Sequence, residues 1–388
     1  MDMMPSRYQM LQEALAGYEK TGMPLVAYDG KTLMPAGYGD DVGVYYSVPK
    51  IAHTFGLTID QTIAIFYTGV ILVSLILGLI GSYLLFKTWV GRLVALVGLS
   101  GLILFSLEVG DIYPISTYIT IAIVPLFLYF AQSKKLSVSF VIFFLLAGIS
   151  IGAAHYIRSH AGTAVLIFML SMVMFYLRFP WRKKLVLAIP LVAGILVMAL
   201  YFNVLLNQRE AYLVNNQPAC NQAVGRHPFW HSVYIGFGYL NNDYGIGYKD
   251  EVAIEKVRSI SPSAPYLSEE YEAILKDEVI NLIKGNPRFV LDTVFAKIGV
   301  IFFFLLIFAN FGLLAAILYP KGWSIEVAFW NALGFNSLFG ILVTPNPAYL
   351  LGFIAFATIY GIVSINHAIE CGAWRDITAR LSCIGVRS

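Results

Sequence analysis

The fold class expected is an all-α polytopic membrane protein of about nine transmembrane helices, with one long outer-face loop containing an amphipathic helix. Three observations predict it. Of the 388 residues, 58% are hydrophobic and only 13% are charged, about half the charged share of soluble domains, and mean hydropathy is +0.72. Apolar runs near the length that crosses a bilayer recur along most of the chain. Basic connectors alternate with acidic, neutral or long ones, the pattern by which the positive-inside rule orients a bundle. A net charge of +3 divided among short connectors makes no case for nucleic acid as a partner; the partner implied is the lipid bilayer.

Residues 6–19 set Tyr8, Met10, Leu11, Leu15 and Tyr18 at helical spacing among Arg7, Gln12, Glu13 and Glu19, which predicts a short amphipathic helix on the membrane surface. Gly, Pro and Asp punctuate residues 21–43 as loop. Thr58-Ile59-Asp60-Gln61 is a helix-start signal, and the first span follows at 63–86. Further spans are expected at 92–107, 113–131, 136–154, 162–178, 185–206, 295–319, 326–344 and 347–366. The chain thus divides into a first loop region (1–60), six helices (61–206), a long extracytoplasmic loop (207–294), three helices (295–366) and a cytoplasmic tail (367–388). The Asp40/Asp41 loop, Glu108/Asp111, Arg158/His160, the long loop and the Pro345 turn then share the outer face. Residues 1–20 lack the pattern of a cleavable signal, so an outer N-terminus leads to the expectation of a further helix upstream of Met1. Cys220, Cys371 and Cys383 lack any CxxC spacing, so neither a disulfide framework nor a zinc site is expected.

In the long loop, Ser268 followed by Glu269 and Glu270 opens a helix, and Gly285-Asn286-Pro287 closes it. Its apolar stripe is Tyr271, Ile274, Leu275, Val279 and Ile283. So little apolar surface predicts a loop that packs down on the membrane domain. Pro228 and the aromatic run around it argue against a helix over His227–His231 and so against a zinc pair there. A substrate-binding or packing role is preferred for His227, Trp230 and His231, and Tyr234, with Trp230, could stack on a sugar face or belong to an interfacial aromatic belt.

Polar residues able to carry chemistry lie outside the spans or near their ends. Asp40 and Asp41 are adjacent carboxylates at the aqueous rim, and Glu108 and Asp111, three apart, would share a helical face. Arg158, Arg209, Arg226 and Lys297 are the outer-face cations, Arg158 the strongest because it sits in a short turn near membrane depth.

The acidic first loop, the run Gly43-Val44-Tyr45-Tyr46-Ser47-Val48-Pro49 entering a helix, the second acidic loop and the long late loop together resemble the GT-C superfamily of integral-membrane glycosyltransferases, notably bacterial relatives of protein O-mannosyltransferases. The stretch from Tyr271 through Asn286-Pro287 to Lys297 is similar to that group's amphipathic helix before a late span. The resemblance implies a polyprenyl-phosphate sugar donor, a glycan, lipid or protein acceptor, and an active face outside the cytoplasm of a bacterial plasma membrane. It makes Asp40 or Asp41 the catalytic base, although such acids are often separated by one residue in the group and here are adjacent. It gives Arg158, Arg226 and Lys297 to the donor phosphate, and Glu108 with Asp111 to a divalent cation, Mg or Mn. Two other classes stay open: a ligase or polymerase of lipid-linked glycans using outer-face Arg and His, and a non-catalytic transporter or assembly subunit.

Overall fold

In the computed structural model, residues 3–37, 41–133, 135–216 and 229–373 are described. Helix α1 (Pro5–Thr21) leads through a small antiparallel hairpin, β1 (Val26–Tyr28) with β2 (Leu33–Pro35), into α2 (Val42–Phe55). The bundle follows: α3 (Ile59–Leu85), α4 (Trp89–Val109), α5 (Ile115–Gln132), α6 (Val138–Ile157), α7 (Thr163–Ser171) and α8 (Trp181–Asn216). After α9 (Phe229–Gly236), α10 (Asp250–Ile260) and α11 (Glu269–Gly285), the chain returns through α12 (Pro287–Ala309), α13 (Phe311–Leu318), α14 (Trp323–Leu342) and α15 (Pro347–Glu370).

Among the described residues, eight helices are long and apolar enough to cross a bilayer, which makes this an all-α multi-pass membrane protein. Helices α5 and α15 are the buried centre, whereas α3, α8 and α12 keep most of their apolar surface outward, as lipid-facing helices do. Small residues let the backbones close: a Cβ at Gly148 would meet the Leu191 carbonyl at 2.1 Å, and one at Gly312 would meet the Gly361 Cα at 2.2 Å.

Several expected boundaries move. The span expected at 162–178 is a shorter apolar helix, Thr163–Tyr176, whose last turn, Met172–Tyr176, is π-helical. The span expected at 295–319 starts at Pro287 and breaks at Asn310, whose positive φ of 34° ends α12 and whose side chain caps α13. Helix α8 runs ten residues beyond 206, because nothing between Asn207 and Asn216 breaks a helix. The expected loop at 21–43 contains the hairpin, and α2 forms a helix of its own before the first span.

The long loop also departs from expectation. Its helices gather a second hydrophobic core, separate from that of the bundle, from Val233, Tyr234, Phe237, Val257, Tyr271 and Leu275 among others. Part of the aromatic run supplies the missing apolar surface by folding as α9 from Phe229 on. On α11 the inward stripe is Tyr271, Leu275, Val279 and Leu282, while Ile283 is exposed.

Candidate functional site

One end of the bundle brings together residues far apart in sequence. Asp41 stands at the start of α2, yet its carboxylate does not cap that helix. It receives Nε and Nη2 of Arg7, on α1, at 3.2 and 3.0 Å. Arg7 Nη1 reaches the Asp111 carboxylate in the turn between α4 and α5. All three are nearly closed off: Asp41 is 1% exposed and Asp111 4%, and the Arg7 side chain is 12% exposed. Such burial is tolerable only because opposite charges share it.

Local backbone explains the convergence. Gly110 and Asp111 both have positive φ, 69° and 57°, so the chain leaves α4 abruptly and aims the carboxylate back over the bundle. Gly43 lets α2 press on the end of α6, since a Cβ there would stand 2.8 Å from the Tyr156 carbonyl. That contact sets the Asp41 turn beside the strand-like exit of α6 at Arg158. Burial works against the Arg7 charge, but Asp111 and Asp41 outweigh it and hold the guanidinium protonated beyond its ordinary range. Burial pushes the Asp111 carboxyl above the usual carboxylate range, with Arg7, the Met4 backbone and Arg158 pulling the other way.

Next to this cluster lies a small cleft lined by Tyr113, Arg158, His160, Asn336, Phe339 and Tyr349 among others. The Arg158 guanidinium sits 4.9 Å from the centre of the Tyr113 ring, and Tyr113 and Tyr349 meet edge to face at 5.6 Å. Tyr248, from the long loop, lies with its hydroxyl 3.4 Å from that of Tyr349. His160, with φ of 65°, donates its backbone N–H to His155 Nδ1 at 3.2 Å. A cation and several hydroxyl and amide donors thus face one small space, a composition suited to an oxyanion.

The other expected residues separate from this centre. Asp40, Arg226 and His227 lie outside the described residues. Glu108 is exposed on the last turn of α4; because Gly110 and Asp111 end the helix, it does not share a helical face with Asp111. Among the described residues no group of three or more His, Cys, Asp and Glu is placed to hold a metal ion, and the position between Asp41 and Asp111 is filled by Arg7. These side chains therefore do not fit the divalent cation that the resemblance implies. Lys297, expected at the donor phosphate, is 2% exposed and donates to the Ile341 and Val343 carbonyls at 3.0 and 2.8 Å, closing the end of α14. Arg209 is buried on α8 and pairs with Glu210.

His231 and its neighbours form a second polar cluster, inside the long-loop domain. Its Nδ1 lies 2.8 Å from the Tyr271 hydroxyl and its Nε2 3.1 Å from Asp250 Oδ1. Glu272 accepts the backbone N–H groups of Trp230 and His231 at 2.7 and 3.0 Å, capping α9. Trp230 is half-buried and Tyr234 is buried in the domain core.

Sequence patterns missed Arg7 and Asn336. A basic residue in an amphipathic helix has solvent as its default, and an amide within an apolar span gives no local sign of what it faces. Comparison with family models, with curated proteins and with solved structures finds no match.

Proposed function

We propose that this chain is a membrane glycosyltransferase of the GT-C kind, moving a sugar from a polyprenyl-phosphate donor to an acceptor hydroxyl at the extracytoplasmic face of a bacterial plasma membrane. The observation that carries the proposal is the meeting of two carboxylates, from loops seventy residues apart, on Arg7 beside the Arg158 cleft. An inverting transfer needs both parts at one place. A carboxylate takes the acceptor proton as its oxygen attacks the anomeric carbon, while the bond from that carbon to the phosphate oxygen breaks and the phosphate leaves with the electron pair. Asp41 is held by Arg7 and positions the turn; in this reading the base is its neighbour Asp40, which lies outside the described residues. Arg158 balances the charge of the departing phosphate.

The test is transfer of labelled sugar from a polyprenyl-phosphate hexose in membranes, at equal expression of each variant. Asp40→Asn is expected to abolish transfer without lowering thermal stability, and Asp41→Asn to lower both. Full transfer by the Asp40→Asn/Asp41→Asn double variant would overturn the carboxylate mechanism and favour a ligase-like reaction built on Arg158 and His160.

A further inference from the structure

Asn336 lies on α14 and lines the Arg158 cleft. It is only 7% exposed, yet its Nδ2 is buried with no hydrogen-bond partner among the described residues. Leaving a buried amide donor unpaired is destabilising, so packing alone gives no reason to keep it. Its place is also specifically made: a Cβ at Gly352, on α15, would come 2.6 Å from Asn336 Oδ1. The glycine admits a side chain whose donor is then left unused. Arg158, Tyr113, His160 and Tyr349 line the same cleft. The cleft is about 30 Å³, room for one or two water-sized groups rather than a whole sugar phosphate.

We infer that Asn336 donates a hydrogen bond to one phosphoryl oxygen of a lipid-borne phosphate whose charge Arg158 balances. The inference rests on the donor assignment above in taking that lipid to be a polyprenyl phosphate. An amide adds direction to a point of positive charge, so it would discriminate phosphate from the uncharged alcohol left after hydrolysis.

The experiment measures binding of a fluorescent short-chain polyprenyl phosphate to the full chain in nanodiscs of neutral lipid. Polyprenol, inorganic phosphate and phosphatidylglycerol serve as competitors. Asn336→Ala is expected to weaken polyprenyl phosphate about tenfold, the loss of one charge-assisted hydrogen bond, and Asn336→Asp to weaken it further. Asn331→Ala, an exposed amide on the same helix that bonds Ser171, is expected to bind as the unaltered chain does. The ligand-free melting temperature of Asn336→Ala should hold or rise, where a structural amide would lower it. Equal binding by all variants would overturn the role of Asn336 and leave the donor assignment standing. Failure of the unaltered chain to prefer polyprenyl phosphate over polyprenol would overturn both. Equal competition by phosphatidylglycerol, lost in the Asn336 variants, would keep the phosphoryl contact and reassign the lipid.

Discussion

Two polar clusters in this protein use similar residues and end in opposite states. In the long-loop domain, His231 has both ring nitrogens engaged, by Tyr271 and Asp250, and Glu272 spends both oxygens on the start of α9. At the end of the bundle, Arg7 joins Asp41 and Asp111, but Asp111 Oδ1 and, in the adjoining cleft, Asn336 Nδ2 are buried with no hydrogen-bond partner by distance and angle among the described residues. Polar groups that saturate one another hold a fold together; donors and acceptors left over at a cleft are available to something else. The difference separates His231 from Asn336 more clearly than residue type does.

The largest expected effect comes from breaking the ion cluster. Arg7→Met leaves two buried carboxylates without their cation, a change expected to cost about 3 kcal/mol or more, read as a fall in melting temperature in nanodiscs. The pH dependence follows from Asp111, whose carboxyl binds its proton more tightly in the fold than in the unfolded chain. Between those two pKa values the folded state holds more protons, so its stability falls as pH rises through that window. Removing Arg7 extends the window upward. The variant should therefore recover part of its loss at about pH 5 relative to about pH 8, and a loss independent of pH would show that Asp111 does not depend on Arg7.

The closed cluster should behave as structure alone. His231→Ala removes a buried ring and strands the Tyr271 hydroxyl, at an expected cost of roughly 2–3 kcal/mol. Asp250 is held below the usual carboxylate range first by its hydrogen bond to His231, against burial. Its contribution is therefore present above the unfolded pKa and is lost as pH falls through the folded one; the variant loses that acid-range dependence. Affinity for a polyprenyl phosphate should be unchanged. Weakened binding at unchanged stability would move His231 out of the structural cluster and into the site.

Lys297→Met sharpens the same contrast at a third place. Two carbonyls of the α14 end lose a charged donor, for about 1–2 kcal/mol of stability, while phosphate affinity holds. A selective loss of affinity would return Lys297 to the donor site.

The spans and the start of α11 were legible in the sequence because apolar runs and a Ser cap are local signals acting on adjacent residues. Asp41 and Arg158 were legible as charges beside spans, which need a reason to be there. What stayed hidden depends on distant residues. Arg7 matters through acids 34 and 104 positions away, and Lys297 reaches carbonyls more than forty residues on. The Glu108–Asp111 spacing misled because the helix ends at Val109 and both Gly110 and Asp111 take positive φ. The second core was missed because Pro228 signals a helix start as readily as a break.

The smallest effect tests how closed the long-loop cluster is. Glu272→Ala uncaps α9 by freeing the Trp230 and His231 N–H groups, and a lost cap typically costs about 1 kcal/mol. If α9 is held by this carboxylate, hydrogen exchange at those two amides should quicken while the rest of the domain core, from Val257 to Val279, keeps its protection. Exchange that quickens across the whole domain would mean instead that Glu272 secures the entire second core. The His231 cluster would then owe its closed state to one surface-reaching carboxylate rather than to the buried His–Tyr pair.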